Sequence, residues 1–143
     1  MNIGLNMKAT TDVYKESMRY IENAREILST KAGKDGDYYS DPKYVRMASN
    51  TAYNGLLIAL DALFEYKGIK APGKKTEDRA SKKTYTGGLS QINRTMIQKY
   101  ESAYKHLHLY GGYDGELYYP TINNGIKIAV DIIDWVNNQI TKN

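Results

Sequence analysis

The segment that most constrains the fold is the last one. Between Pro120 and Ile140 the apolar residues Ile122, Ile126, Ala129, Ile133, Val136 and Ile140 step by four, three, four, three and four, and Ile128, Ile132 and Trp135 widen the stripe. That rhythm is the helical period, and a stripe so broad belongs to a helix packed on several neighbours. The rest of the chain has to supply those neighbours, and the same period recurs upstream. From Thr11 to Thr30, Val13, Tyr14, Met18, Tyr20, Ile21, Ala24, Ile27 and Leu28 fall at helical spacing, with Asp12 and Glu16 set in the first turn, where negative charge suits a helix N-terminus. Asp41 followed by Pro42 announces a second helix, a capping acceptor and then a residue with φ already fixed, and Gly68 supplies its stop after Lys67. Another runs from about Asn93 to Tyr110 on a seam of Met96, Tyr100, Ala103, Leu107 and Tyr110, and Ser81 to Ile92 reads as a shorter helix interrupted by Gly87 and Gly88. The glycine-rich GGYDGELYYP reads as a turn-rich connection wrapping the bundle end, and no strand alternation of useful length occurs. The expected fold is an all-α antiparallel up-and-down bundle of four long helices plus one short helix, a single domain over residues 1–143.

A chain with no cysteine excludes disulfide scaffolds, thiol catalysis and cysteine-held zinc. No apolar run approaches the roughly 20 residues of a membrane span, and MNIGLNMKATTD does not read as a signal peptide, so the expectation is a cytoplasmic protein with no membrane partner. The net charge of +4 is concentrated locally: Lys67, Lys70, Lys74, Lys75, Arg79, Lys82 and Lys83 face only Glu77 and Asp78 in that stretch, leaving the remainder near neutral. One basic loop on a neutral body is a solvated loop before it is a nucleic-acid footprint, so nucleic-acid binding is only weakly signalled. Gly68, Gly73 and Lys74 imitate part of a phosphate-binding P-loop, but Lys75 stands where Ser or Thr is required and a helix precedes the loop where a strand is needed.

Helix two carries a second, more polar row beside its apolar face: Asn50, Tyr53, Asn54, Leu57, Asp61 and Phe64 share one side. An Asp within LLIALDALF requires hydrogen bonds or a counter-charge if it is buried. It points either to a polar pocket in which Asn54 and Asp61 hold a ligand, or to a structural network in which Asp61 accepts from tyrosine hydroxyls or a histidine; the network is favoured, and a solvent-exposed Asp61 would remove both. His108 shares a side with Tyr104 and is a candidate general base or partner of Asp61, against a plainer role near the helix end. His106 and His108 diverge on a helix and cannot chelate one metal together, so no metal and no cofactor are expected. Of 16 aromatic residues 14 are Tyr, and they divide in two. Tyr20, Tyr53, Tyr100 and Tyr104 fall on helix faces, whereas Tyr38, Tyr39, Tyr110, Tyr113, Tyr118 and Tyr119 sit in pairs among glycines. The second group either caps the core ends, one ring in and one out, or forms a partner surface.

The order of these pieces, above all YVRMASNTAYNGLLIALDALFEYKG followed by SAYKHLHLYGGYDG, resembles an uncharacterised bacterial family of helical domains near the HEPN-like bundles, over about Tyr20 to Trp135. The resemblance implies a bundle of four to five helices and, as often in HEPN proteins, a nucleotidyltransferase-like partner. Active HEPN ribonucleases have an Arg, four to six residues and then a His; here Arg94 lies twelve residues before His106, so the chain departs from that motif. The expected function is a non-catalytic interaction or ligand-binding module acting as a homo-oligomer or with a protein partner. The alternative is an RNA-directed enzyme or toxin component using His108, Asp61 and the lysine loop.

Overall fold

The computed structural model describes residues 3–69 and 81–142. Lys70, Gly73, Lys74, Lys75 and Arg79 of the basic loop lie outside the described residues. The elements run α1 (Ile3–Thr30), β1 (Lys34–Asp35), β2 (Tyr38–Tyr39), α2 (Pro42–Lys67), α3 (Lys82–Ser90), α4 (Thr95–Ala103), a π-helical continuation of α4 (Tyr104–Tyr113), and α5 (Tyr119–Thr141). The protein is thus mainly all-α, with four long helical rods once α4 and its continuation are taken together, and one short helix.

α2 begins as its sequence dictates: the Asp41 carboxylate accepts from the Lys43 amide at 3.0 Å, and Pro42 occupies the first turn. It ends at Gly68, whose φ of 67° is open to glycine and strained for most other residues. The predicted inner face, Val45, Ala48, Ala52, Leu56, Ala59, Leu60 and Leu63, is buried throughout, as are Ile122, Ile126, Ala129, Ile132, Ile133, Val136 and Ile140 of α5. α2 packs on α1, on α5 and on the π segment, which makes it the central rod. Its contact with α1 depends on Gly55: a Cβ there would stand 2.8 Å from the Ser17 carbonyl oxygen and 2.9 Å from the Tyr20 Cβ.

Four expectations need correction. α1 starts at Ile3, so Asp12 and Glu16 lie within the helix and not in its first turn. α3 runs through Gly87 and Gly88 without a break, because the Phe64 ring lies so close that a Cβ at Gly88 would come within 2.5 Å of it; this glycine makes room and does not end the helix. The α1–α2 connection contains a hairpin with register Lys34↔Tyr39 and Asp35↔Tyr38. Strands of two residues carry no alternation to read; only Gly36, with φ of 62° in the two-residue loop, signals the turn. Finally, the seam of α4 does not continue to Tyr110, which is exposed, while Leu107 and Gly111 are buried. In a π-helix the bond closes from i to i+5, so each turn holds more residues and the inward positions shift out of the four-three rhythm.

The hairpin is not an appendage. Tyr39 donates its amide to the Leu117 carbonyl at 2.7 Å, the Tyr119 amide donates to the Asp37 carbonyl at 2.8 Å, and Tyr38 forms a bridge with Tyr118. The α1–α2 connection and the approach to α5 are thereby joined by backbone bonds at one end of the bundle.

Because the nearest obstacle to a Cβ at Gly55 is backbone, Gly55→Ala forces α1 away from α2. We expect a loss of about 1–3 kcal/mol in unfolding free energy, read as a lower urea midpoint at unchanged slope.

Candidate functional site

α2, α3 and α4 bring their aromatic positions to one place. Tyr100, Tyr104 and His108 follow each other at four-residue steps, with ring centroids 6.3 and 5.0 Å apart. Four residues overshoot one α turn and fall short of the wider π turn, so the step from Tyr100 to Tyr104 and the step from Tyr104 to His108 offset each other, and the rings stay in file. Tyr53 of α2 lies against the file, 6.0 Å from Tyr104 and 5.1 Å from His108, and Tyr85 of α3 continues it, 5.7 Å from Tyr100 and 6.1 Å from Phe64.

Hydrogen bonds serve the polar tips. The hydroxyls of Tyr53 and Tyr100 meet at 2.7 Å in the core, and the Tyr85 hydroxyl donates to Asp61 Oδ1 at 3.0 Å. Burial, with the Tyr53 hydroxyl next in weight, pushes the Tyr100 phenol well above the ordinary tyrosine range. At the solvent edge Lys82 Nζ lies 3.2 Å from Glu101 Oε2 and 5.2 Å above the Tyr104 ring. That edge adjoins residue 81, where the described chain resumes after the basic loop; Lys83 beside it is exposed.

The predicted site residues are only partly united. Tyr53, Tyr104 and His108 are in mutual ring contact, and Asn54 is half-buried and engaged. Asp61 is exposed, contrary to the burial on which the pocket reading rested. It stands where α2 faces the short α3 and so keeps its charge in water while accepting from a buried tyrosine. The exposure removes the pocket reading as expected, but the expectation that it also removes the network is corrected: Asp61 accepts from Tyr85 while exposed. Asn50 belongs elsewhere: its Nδ2 donates to the Gly112 carbonyl at 3.3 Å, tying α2 to the end of the π segment. His106 faces the other way from His108, its Nδ1 paired with the Ser102 carbonyl at 2.7 Å and its Cβ close to Gly125 of α5. Among the described residues no group of three His, Asp or Glu side chains could hold a metal ion. Tyr85 is the member that sequence reasoning missed; the following Gly87–Gly88 pair, read as a break, is the signal of close ring packing that would have found it.

The glycine-flanked tyrosines form a second feature. Tyr39 is buried and Tyr119 half-buried, while Tyr38 and Tyr118, 5.4 Å apart, are 55% and 40% exposed. Tyr113 is 80% exposed, and Tyr110 and Met47 are exposed nearby on the π segment and the first turns of α2. Of the exposed large apolar side chains among the described residues, Tyr66 alone lies towards the other end of α2.

A family described as a domain of unknown function (DUF5618) matches residues 12–138. The solved structure of a protein of unknown function from Dyadobacter fermentans is similar over 91% of this chain and 98% of its own, at 37% identity and a TM-score of 0.80. A search of curated proteins returns no match.

Two measurements check the cluster. In a double-mutant cycle of Tyr53→Phe and Tyr100→Phe, each single change removes the bond between the two buried hydroxyls and costs about 1–3 kcal/mol; the double variant should cost less than their sum. Burial also raises the Tyr39 phenol, to about 12. For Tyr39 and Tyr100 the folded state favours the neutral ring, so their stabilisation is complete below pH 10, the unfolded value, and declines as pH rises, Tyr39's share between 10 and about 12. The unfolding free energy should therefore fall less steeply above pH 10 in Tyr100→Phe than in the parent.

Proposed function

The chain belongs to the family of the domain of unknown function DUF5618, and on that footing we propose that it is a non-catalytic interaction module that engages a protein partner through its tyrosine-rich end. The observation that carries this reading is the gathering of Tyr38, Tyr110, Tyr113, Tyr118 and Met47 at one end of the bundle, all large and all exposed. Tyrosine offers broad rigid contact area with a polar tip at little conformational cost, which is why recognition surfaces favour it. Backbone pairing of the hairpin with the approach to α5 holds Tyr38 and Tyr118 in place before any partner arrives, and such preorganisation lowers the entropy of association. The first partner to test is a second copy of the chain, which a C2 arrangement would bring end to end with one patch used twice. A nucleotidyltransferase-like protein, should one be encoded beside this chain, is the second, in keeping with a HEPN-like reading of the bundle.

One observation favours a different class. His108 is exposed at the end of the ring file, with Lys82 over the adjacent Tyr104, where an RNA base could stack and a histidine could move a proton. This is the HEPN-type enzyme reading, and it assigns His108 the catalytic role.

Sedimentation and mixing experiments separate the two. The module reading expects the parent to sediment as a dimer, or to co-elute with a nucleotidyltransferase-like protein where one is encoded beside it, and Tyr38→Asp with Tyr113→Asp to weaken that association at least about tenfold without loss of helicity. A monomer that ignores such a partner, yet degrades RNA until His108→Ala stops it, would replace the module with the enzyme.

A further inference from the structure

A cleft of about 410 Å³ opens between the last turns of α1, the hairpin and the first turns of α5. Its volume lies within the range of small-molecule sites. Leu28, Tyr39 and Ile126, all buried, make an apolar floor, and Arg25, Lys34 and Asn123 bring polar groups to its walls. None of the described lining residues is acidic. Lys34 does not wander: its Nζ lies 3.7 Å from the centroid of the Tyr119 ring, which holds the ammonium over one wall. Among the described residues Arg25 has no ion pair, so its guanidinium is free to take two oxygens of one anion. Ser29 already donates its hydroxyl proton to the Glu26 carbonyl and can only accept, whereas the half-buried Asn123 offers an amide that can both donate and accept.

Two cations with no counter-carboxylate among the described residues, set above an apolar floor, are complementary to a molecule with a negative head and a flat or apolar body. We propose that this cleft is a binding site for a small organic anion, with its carboxylate or phosphate on Arg25 and Lys34 and its body over Leu28, Ile126 and the edge of Tyr39. The site is distinct from the ring cluster of α2, α3 and α4 and uses neither Asp61 nor His108. Because the walls come from three separate elements, each held by backbone hydrogen bonds or core packing, the cleft exists before the ligand arrives. Head and body should therefore both be needed: a bare anion lacks the floor contacts, and a neutral ring leaves both cations unanswered.

The test is a titration of the full chain with benzoate, phenyl phosphate, phenol and inorganic phosphate, followed through backbone amide resonances. The proposal expects benzoate or phenyl phosphate to saturate, with shifts centred on Gly33, Lys34 and Asn123, and whichever binds more tightly identifies the head group. It expects phenol and inorganic phosphate each to bind at least about tenfold more weakly. Arg25→Ala and Lys34→Ala should each weaken binding by about tenfold, while Lys99→Ala, remote from the cleft, should leave it unchanged; both cleft side chains are exposed, so the spectra of their variants should stay as dispersed as the parent's. Absence of saturation by both probes, shifts that map elsewhere, or undiminished affinity in the Arg25→Ala, Lys34→Ala double variant would overturn it.

Discussion

The widened turns from Tyr104 to Tyr113 set the position of most of what surrounds them. They keep Tyr104 and His108 in file with Tyr100, so that Tyr53 can close on the rings from α2. They bring Gly111 and Gly112 against Ser49 and Asn50, where a Cβ would stand 2.1 Å from the Ser49 hydroxyl oxygen and 2.2 Å from the Asn50 amide oxygen. They also turn Tyr110 to solvent and leave Leu107 inside. A π segment is a poor choice on backbone energetics alone, so the packing it permits on α2 and α5 has to compensate. Its two glycines allow that packing by removing the side chains that would hold the rods apart.

Tyrosine-rich cores face a polar problem that leucine cores do not. Each buried phenol brings a hydroxyl that loses water, and leaving it unmade costs more than the bond returns. Here the hydroxyls answer one another or reach outward: Tyr53 pairs with Tyr100 in the core, and Tyr85 is served by a carboxylate that itself stays in water. The second solution avoids burying a charge, which would demand a counter-charge or a full set of donors. Tyr14 of α1, itself half-buried, likewise donates to a carboxylate, that of the half-buried Asp134, at 2.8 Å.

The bundle was legible because α2 and α5 state their inner faces at a regular period and because Asp41, Pro42 and Gly68 mark α2's ends chemically. The path of α4 beyond Ala103 was not, since a periodicity argument assumes one constant turn and the chain changes it. Gly88 shows a second limit: glycine's lack of a side chain serves turns and close contacts alike, and only the position of Phe64 decides between them. For the candidate site, spacing on one helix grouped Asn50 with Asp61, but Asn50 is claimed by Gly112 and Asp61 by Tyr85, partners that come from elements distant in sequence. The cleft is less legible still, because Arg25, Lys34 and Asn123 have no shared pattern and meet only through the hairpin.

That hairpin bears on how the chain assembles. Pairs such as α1 with α2 join neighbours in sequence, and local contacts close early because little chain entropy is lost. The bonds of Asp37 and Tyr39 to Tyr119 and Leu117 join opposite halves of the molecule, so they form only once residues 117–119 meet the hairpin. The tyrosine end and the cationic cleft are therefore both assembled from segments far apart in sequence, and neither exists in any single stretch of the chain.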